Sequence, residues 1–377
     1  MTNALVIQKV GDTVMFRNKT LIFVFIILLL ISGCGKSDNK NTSINNIGTT
    51  MQVGTSVKSI DSIRQKSEYI SAEKVIRRLS SEEFQGRKVY TEENKKAAQY
   101  ISELFKAIGL EKYSKDSYMV GDNNIPIEIQ NQHVVGVIPG KERSKAVVLT
   151  AHLDHIGKDT NGKTYLGALD DASGIGAIID LAQIFMANSK ALDQDVVICA
   201  INGEESGNLE AEVIIDDLKH RYKKLYNIDF DCIGAKDDNS VLLTGNKETG
   251  EKLMNGISGY FTQKGIKTDS IHQNEQGSFN EVFKMDNMDP ITISFGTDSI
   301  AFFQKKINSV SIGQYVIFNG KTFNRMGLNE NNLDKLTPKP NLIHSITDTP
   351  DKIDFKFIEK VSDIVYNFIM DNDGKEF

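Results

Sequence analysis

The chain has no tryptophan, three cysteines, six histidines and no excess of positive charge across its 377 residues. The missing tryptophan excludes nothing. The cysteines, Cys34, Cys199 and Cys232, are not spaced as a zinc knuckle, which needs closely paired thiolates. Cys199 and Cys232 each sit in an apolar, strand-like run and read as buried free thiols. An exported protein would permit a disulfide between them, and sequence does not show whether they are close. The formal net charge of -6 removes the electrostatic reason to expect nucleic acid, which calls for clustered Lys and Arg. No internal repeat is visible. The longest apolar run, Leu21 to Ile31, is too short to span a bilayer, which takes about 20 residues. What remains, 40% hydrophobic and 25% charged residues, excludes a disordered chain and fits a globular one.

That short apolar run has a specific setting. Arg17 and Lys19 precede it, and Ile31-Ser32-Gly33-Cys34 follows it. A basic flank, an apolar core and small residues before a cut site describe a secretory signal over residues 1–33. The cysteine after Ser-Gly resembles a bacterial lipobox, so Cys34 is expected to become the lipidated first residue of the mature protein. Starting at Met15 instead of Met1 gives a signal of ordinary length. Residues 34–65, rich in Ser, Asn, Thr, Lys and Gly, read as a flexible tether. The expectation is an exported protein held to a membrane by its lipid anchor, with one domain over residues 66–377.

Within that domain helical and strand patterns alternate. Thr91 caps a helix with early acids, its apolar stripe runs from Ala97 to Ile108, and Gly109 can end it. Val134–Ile138 and Ala146–Ala151 read as strands separated by Pro139-Gly140-Lys141. Ser173–Ala187 reads as an apolar helix and Val196–Ile201 as a strand covered on both faces. Leu225–Ile233 and Asn308–Ile312 are weaker strands, and Asp354–Met370 closes the domain as an amphipathic helix. The alternation predicts an α/β fold, a three-layer α/β/α sandwich with a mainly parallel central sheet. Ligands of such sheets bind at the carboxyl ends of strands. There the chain carries His152, directly after one strand; Glu204 and Glu205, just past another; and Asp231, at the end of a third.

The chemistry of these positions is that of a borderline-hard metal. Histidine and carboxylate are the ligands zinc accepts, and Ala151-His152-Leu153-Asp154-His155-Ile156-Gly157 is followed closely by Asp170-Asp171-Ala172-Ser173-Gly174. Each residue alone has a plainer reading. The Glu pair could be an acidic turn, Asp170-Asp171 a helix cap, and His152 and His344 structural or loop histidines. Asp229 competes with Asp231. His133, His220 and His272 lie in no partner pattern and read as structural. An adjacent Glu pair nevertheless divides naturally, with one carboxylate on a metal and one free to move a proton.

Taken together these segments resemble peptidase family M28, the dizinc aminopeptidase group, over roughly residues 70–377. The motifs occur in family order: Leu79-Ser80-Ser81-Glu82-Glu83-Phe84-Gln85-Gly86-Arg87, His-x-Asp-His, Asp-Asp-Ala-Ser-Gly, Gly203-Glu204-Glu205, Asp231-Cys232-Ile233-Gly234, and His344 through Pro350. The resemblance implies a zinc-exopeptidase-like fold. It implies two Zn²⁺ ions, replaceable by other divalent transition metals. His152 and Asp231 would hold one ion, Glu205 and His344 the other, and Asp170 would bridge them. It makes Glu204 the general base, has Asp154 hydrogen-bond and orient His152, and places a cis peptide at Asp170-Asp171. His155 is no family ligand and is expected to have a supporting role. Departures stand at Ser206–Ala211, at Thr297-Asp298-Ser299 and at Ile343.

The resulting expectation is a metal-dependent exopeptidase, specifically an aminopeptidase removing N-terminal residues from peptides. Two other functions share the fold: a glutaminyl cyclase-like transferase using one zinc, and a non-catalytic binding module that has lost ligands. The full ligand set favours hydrolysis over both.

Overall fold

The computed structural model describes residues 57–121, 132–207, 211–246, 250–273, 281–283, 291–293, 299–314, 317–318, 321–322, 342–375 and 377. Cys34, Asp298 and most of the expected tether lie outside the described residues, as do Asn208–Glu210 of the segment that departs from the family pattern.

Seven strands form the body of one sheet: β1 (His133–Ile138), β2 (Glu142–His152), β3 (Gln194–Ile201), β4 (Lys224–Phe230), β5 (Ser240–Asn246), β6 (Lys267–Gln273) and β7 (Asn308–Gly313). Their spatial order is β1-β3-β2-β4-β7-β5-β6, and the two-residue strands Glu111–Lys112 and Met119–Val120 complete nine strands along β1. The four central strands β3, β2, β4 and β7 run parallel, as do β5 and β6. The antiparallel pairings β1–β3 and β7–β5 flank this centre and make the sheet mixed. The sequence signals for β5 and β6 are weak, so the sheet extends further on that side than expected.

Apolar residues alternate to two faces. Along β2, Val147, Leu149 and Ala151 enter the larger core, and Ala146 and Val148 the smaller. Helices α1 (Ile60–Arg64), α2 (Ala72–Leu79), α3 (Glu92–Ile108), α4 (Ser173–Ala187), α6 (Glu251–Gln263) and α8 (Phe355–Asp371) cover the larger core. Helices α5 (Ala211–Arg221) and α7 (Ser299–Gln304) cover the smaller. This is a three-layer α/β/α arrangement. α4 is buried on nearly every side, which is why its sequence is apolar all round. α3 has the expected caps: the Thr91 side chain accepts from the Asn94 amide, and Gly109 takes the left-handed conformation that L-residues avoid.

One boundary differs from expectation. Residues 57–65, expected to be tether, belong to the domain. Ile63 is buried, and Arg64 bonds the buried Asp180 carboxylate through Nη2 at 2.5 Å. A charged carboxylate held away from water needs such a partner. The stretch is polar on average, which hides one apolar anchor and one ion pair. Neither Cys199 nor Cys232 forms a disulfide; Cys199 is buried and Cys232 half-buried.

Strand register aligns the loops at one edge of the sheet. His152 at the end of β2 lies opposite Ile201 at the end of β3, and Thr150 lies opposite Asp229 of β4. The loops leaving β2, β3 and β4 therefore start level with one another.

Candidate metal centre

Two chain reversals at this edge bring acids from separate segments together. After β3, Gly203 and Gly207, both at positive φ, bracket a tight 3-10 turn holding Glu204 and Glu205. Before α4, the chain makes an irregular turn over Ala168–Ala172 that includes a cis peptide between Asp170 and Asp171. Gly174 opens α4 with no room for a side chain: an added Cβ would lie 2.4 Å from the Asp171 carboxylate and from the Phe230 carbonyl.

Asp170 lies at the centre. Its Oδ1 is 3.2 Å from His152 Nε2, and its Oδ2 is 3.3 Å from His344 Nε2. The two oxygens thus face different histidines. On the Oδ1 side, Asp231 Oδ1 lies 4.0 Å from His152 Nε2. On the Oδ2 side, Glu205 Oε2 is 2.9 Å from His344 Nε2, and Glu205 Oε1 is 2.8 Å from His155 Nδ1. Two donor groups result, His152–Asp170–Asp231 and His155–Asp170–Glu205, each with ligand atoms within 4.8 Å of one another and with Asp170 in common. His152 is 2% exposed and His344 is 53% exposed, so the site is closed on one side and open on the other.

The donor chemistry fits zinc. Imidazole nitrogens and carboxylate oxygens converge, no thiolate is among them, and a shared carboxylate has one oxygen for each group. His152, Asp170 and Asp231 are placed to hold a metal ion, and on the other side of Asp170 both His155 and His344 face Glu205, at 2.8 and 2.9 Å.

The acids and histidines also shift one another's protonation. His344 is pushed up to about 10 by its hydrogen bonds to Asp170 and Glu205. Burial alone would lower His152, yet its bond to Asp170 and the neighbouring acids hold it well above the ordinary imidazole value. Burial, reinforced by the charges of Asp231 and Glu205, pushes Glu204 well above the usual carboxylate range.

The supporting contacts depart from expectation in three places. The His152 ring bonds Asp154 through that residue's main-chain oxygen, with Nδ1 3.2 Å away, while the nearer carboxylate oxygen is at 3.8 Å. The Asp154 carboxylate instead accepts three amides, from Gly203 at 2.9 Å, Glu204 at 3.3 Å and Glu205 at 3.2 Å. His155 is more closely involved than expected, touching Glu205 directly. Asp348, which the sequence shows only as one member of a motif, accepts from the Leu169 and Asp170 amides at 2.7 and 3.1 Å and fixes the bridging turn. Asp171 has a comparable role. Its carboxylate accepts from the His152, Gly174 and Cys232 amides and so joins the loops after β2 and β4 to α4.

Asp229 is not part of either donor group. Its side chain points into the sheet and accepts from Thr150 Oγ1 at 2.7 Å. His133 accepts from the Asn202 amide, and His220 contacts the Asp216 carbonyl within its own helix, so neither enters a donor group.

The family model described as Peptidase family M28 matches residues 133–369. Among solved structures, the Legionella pneumophila LapA aminopeptidase is similar with a TM-score of 0.61 at 13% identity, covering 90% of this chain and 81% of that one. A Zn-dependent exopeptidase from Parabacteroides distasonis has a TM-score of 0.55 at 16% identity, covering 80% and 97%. Porphyromonas gingivalis glutaminyl cyclase has a TM-score of 0.58 at 15% identity, covering 84% and 99%. At these identities the likeness is one of fold. No curated protein matches the chain.

Proposed function

The chain belongs to peptidase family M28, and from that premise we propose that it is a dinuclear zinc aminopeptidase acting on peptides outside the inner membrane. The observation that carries this reading is the division of Asp170, one oxygen toward His152 and the other toward His344. A site for a single ion has no need of a carboxylate shared in this way. Zinc bound there supplies Lewis acidity, polarising a scissile carbonyl and acidifying a water.

The chain's own residues do the rest. Glu204, free of the ligand set and raised by burial, takes a proton from the attacking water and delivers it to the departing amine. Asp154 holds the backbone of the turn that carries Glu204, so that carboxylate keeps its place beside the ligand Glu205. The half-exposed His344 marks the side from which a peptide end approaches.

The cyclase fold neighbour keeps a one-zinc transferase as the second reading. Two donor sets that share Asp170 favour two ions and hydrolysis: His152 with Asp231, and Glu205 with His344, whose Nε2 lies 2.9 Å from Glu205 and 3.3 Å from Asp170, leaving His155 to support Glu205. A peptide-library digestion with metal-reconstituted and chelator-stripped protein, read by mass spectrometry, tests the proposal. Stepwise loss of N-terminal residues only in the metal-loaded sample supports it. Trimming from the carboxyl end, or pyroglutamate formation from N-terminal Gln, overturns it.

The same proposal extends to location. Cys34 after the apolar run is read as the lipid attachment point, so the enzyme would work tethered to the membrane after export.

A further inference from the structure

Arg87 closes the Leu79–Arg87 motif, and the proposed reaction gives it no task. Among the described residues it is the one Lys or Arg side chain that is fully buried, at 0% exposure. A guanidinium has five N–H donors and no acceptor. Here all of its hydrogen bonds go to main-chain oxygens. Nε donates to Leu153 at 2.8 Å; Nη1 to Leu79 at 3.2 Å and Leu166 at 2.8 Å; Nη2 to Gly167 at 2.8 Å and Asp170 at 3.1 Å. No carboxylate is a partner, although Asp154, Asp170, Asp171 and Asp348 all lie close enough for their charges to act on it.

These five oxygens belong to three separate segments. Leu79 ends α2. Leu153 follows His152. Leu166, Gly167 and Asp170 belong to the turn that presents the shared carboxylate. One rigid, planar cation therefore ties the residue after one histidine to the main chain of the shared aspartate. The turn has little other freedom: a Cβ on Gly167 would lie 2.4 Å from the Asp170 carbonyl and 2.6 Å from the His155 ring. Arg87 in turn is held by its own main chain, whose carbonyl accepts from the Asn94 side chain at 2.9 Å.

We propose that Arg87 is a positioning residue that pre-forms the turn carrying Asp170, so that the shared carboxylate is in place before either metal ion arrives. This rests on the dinuclear reading of the site. Because Asp170 serves both donor groups, the loss of Arg87 weakens both ions together, unlike the loss of a ligand to one of them. Charge alone does not suffice. Lysine offers three donors on one nitrogen and cannot reach five oxygens spread around a plane.

The test measures zinc affinity by competition with a chromophoric chelator for the full chain, Arg87→Lys and Arg87→Met. Two ions bound by the unaltered chain is the control, and any other stoichiometry counts against the dinuclear reading and not against Arg87. The expected result is that both variants bind both ions at least tenfold more weakly, the range seen when groups supporting ligands are lost. Full affinity in Arg87→Lys overturns the proposal by showing that positive charge is enough. Weakening of one ion alone also overturns it. A measurement on the unaltered chain covers the case in which the variants do not fold. Hydrogen exchange of residues 166–172 in chelator-stripped protein should match that of the zinc-loaded form. Protection that appears only when zinc is added overturns the proposal.

Discussion

The Asp154 carboxylate accepts the Glu205 amide at 3.2 Å, and through the Gly203 and Glu204 amides it holds the whole turn on which Glu204 and Glu205 sit side by side. Its influence on His152 runs through the main chain instead. Asp154→Asn replaces one of two accepting oxygens with an NH₂ that faces a donor. An amide left without its acceptor in a buried place costs about 1–3 kcal/mol. A turn no longer held misplaces Glu204, and a shift of about 1 Å can cost about 10²-fold in rate, so Asp154→Asn should lower kcat by up to about 100-fold while the ion near His152 stays bound. Loss of that ion with normal kcat in reconstituted protein would show that Asp154 acts on His152 after all.

Glu204→Gln separates chemistry from metal binding. The amide keeps the shape and cannot take a proton. General acid–base groups contribute about 10²–10⁴-fold, so kcat should fall by that factor with zinc content unchanged. Metal analysis beside an anilide assay using leucyl or alanyl substrates checks it, and unaltered turnover would remove Glu204 from the mechanism.

Much of this centre is legible in the sequence because it lies at strand ends, where an apolar run stops and polar residues of a few types come next. His152, Asp170, Glu205, Asp231 and His344 can be named from motif order; the register of β2, β3 and β4 explains why His152, Glu205 and Asp231 meet, while Asp170 arrives on the turn before α4 and His344 on a turn before α8. Three relations are not legible. Which atoms of Asp154 face His152 depends on backbone direction after β2, and motif spacing does not encode that. The burial of Arg87 needs the fold, since the sequence shows it only as the last residue of the Leu79–Arg87 motif. His155 sits one residue beyond Asp154, and only the turn at Gly167 shows that its ring is pressed toward Glu205. β5 and β6 escape a periodicity reading because Ser240–Asn246 and Lys267–Gln273 mix polar residues with apolar ones, as suits strands at the margin of a sheet.

Zinc binding should release protons. His344 without metal is raised to about 10, through bonds to Asp170 and Glu205 that favour its charged form. At pH 7 it is therefore an imidazolium, whereas a metal ligand must be neutral. The proton leaves when the ion binds, so affinity rises with pH until the imidazole is already neutral, near pH 10. The expected slope is about tenfold per pH unit for each proton released. Calorimetry at pH 7 in two buffers of different ionisation enthalpy measures the count. A heat independent of buffer would contradict this arrangement.

Cys34→Ser should move the protein from the membrane to the soluble fraction, as the lipobox reading requires. Fractionation followed by immunoblotting detects it. Continued membrane attachment of the variant would point to an uncleaved apolar segment at Leu21–Ile31 in place of a lipid.

His155 provides the sharpest contrast with Arg87. Its Nδ1 lies 2.8 Å from Glu205 Oε1 and 3.7 Å from Asp170 Oδ2, on the side away from His152. With Nδ1 protonated, the ring donates to one Glu205 oxygen and leaves the other facing His344. Such support for a ligating carboxylate is worth about 10–100-fold in metal affinity. His155→Ala should therefore weaken the ion at Glu205 and His344 by that factor and leave the ion at His152 and Asp231 nearly unchanged. His155→Gln, which can still donate one hydrogen bond, should recover part of the loss. Stepwise zinc titration resolves the two ions. Equal weakening of both would mean that His155 acts on Asp170 more than on Glu205, and would place it with Arg87 in holding the shared carboxylate.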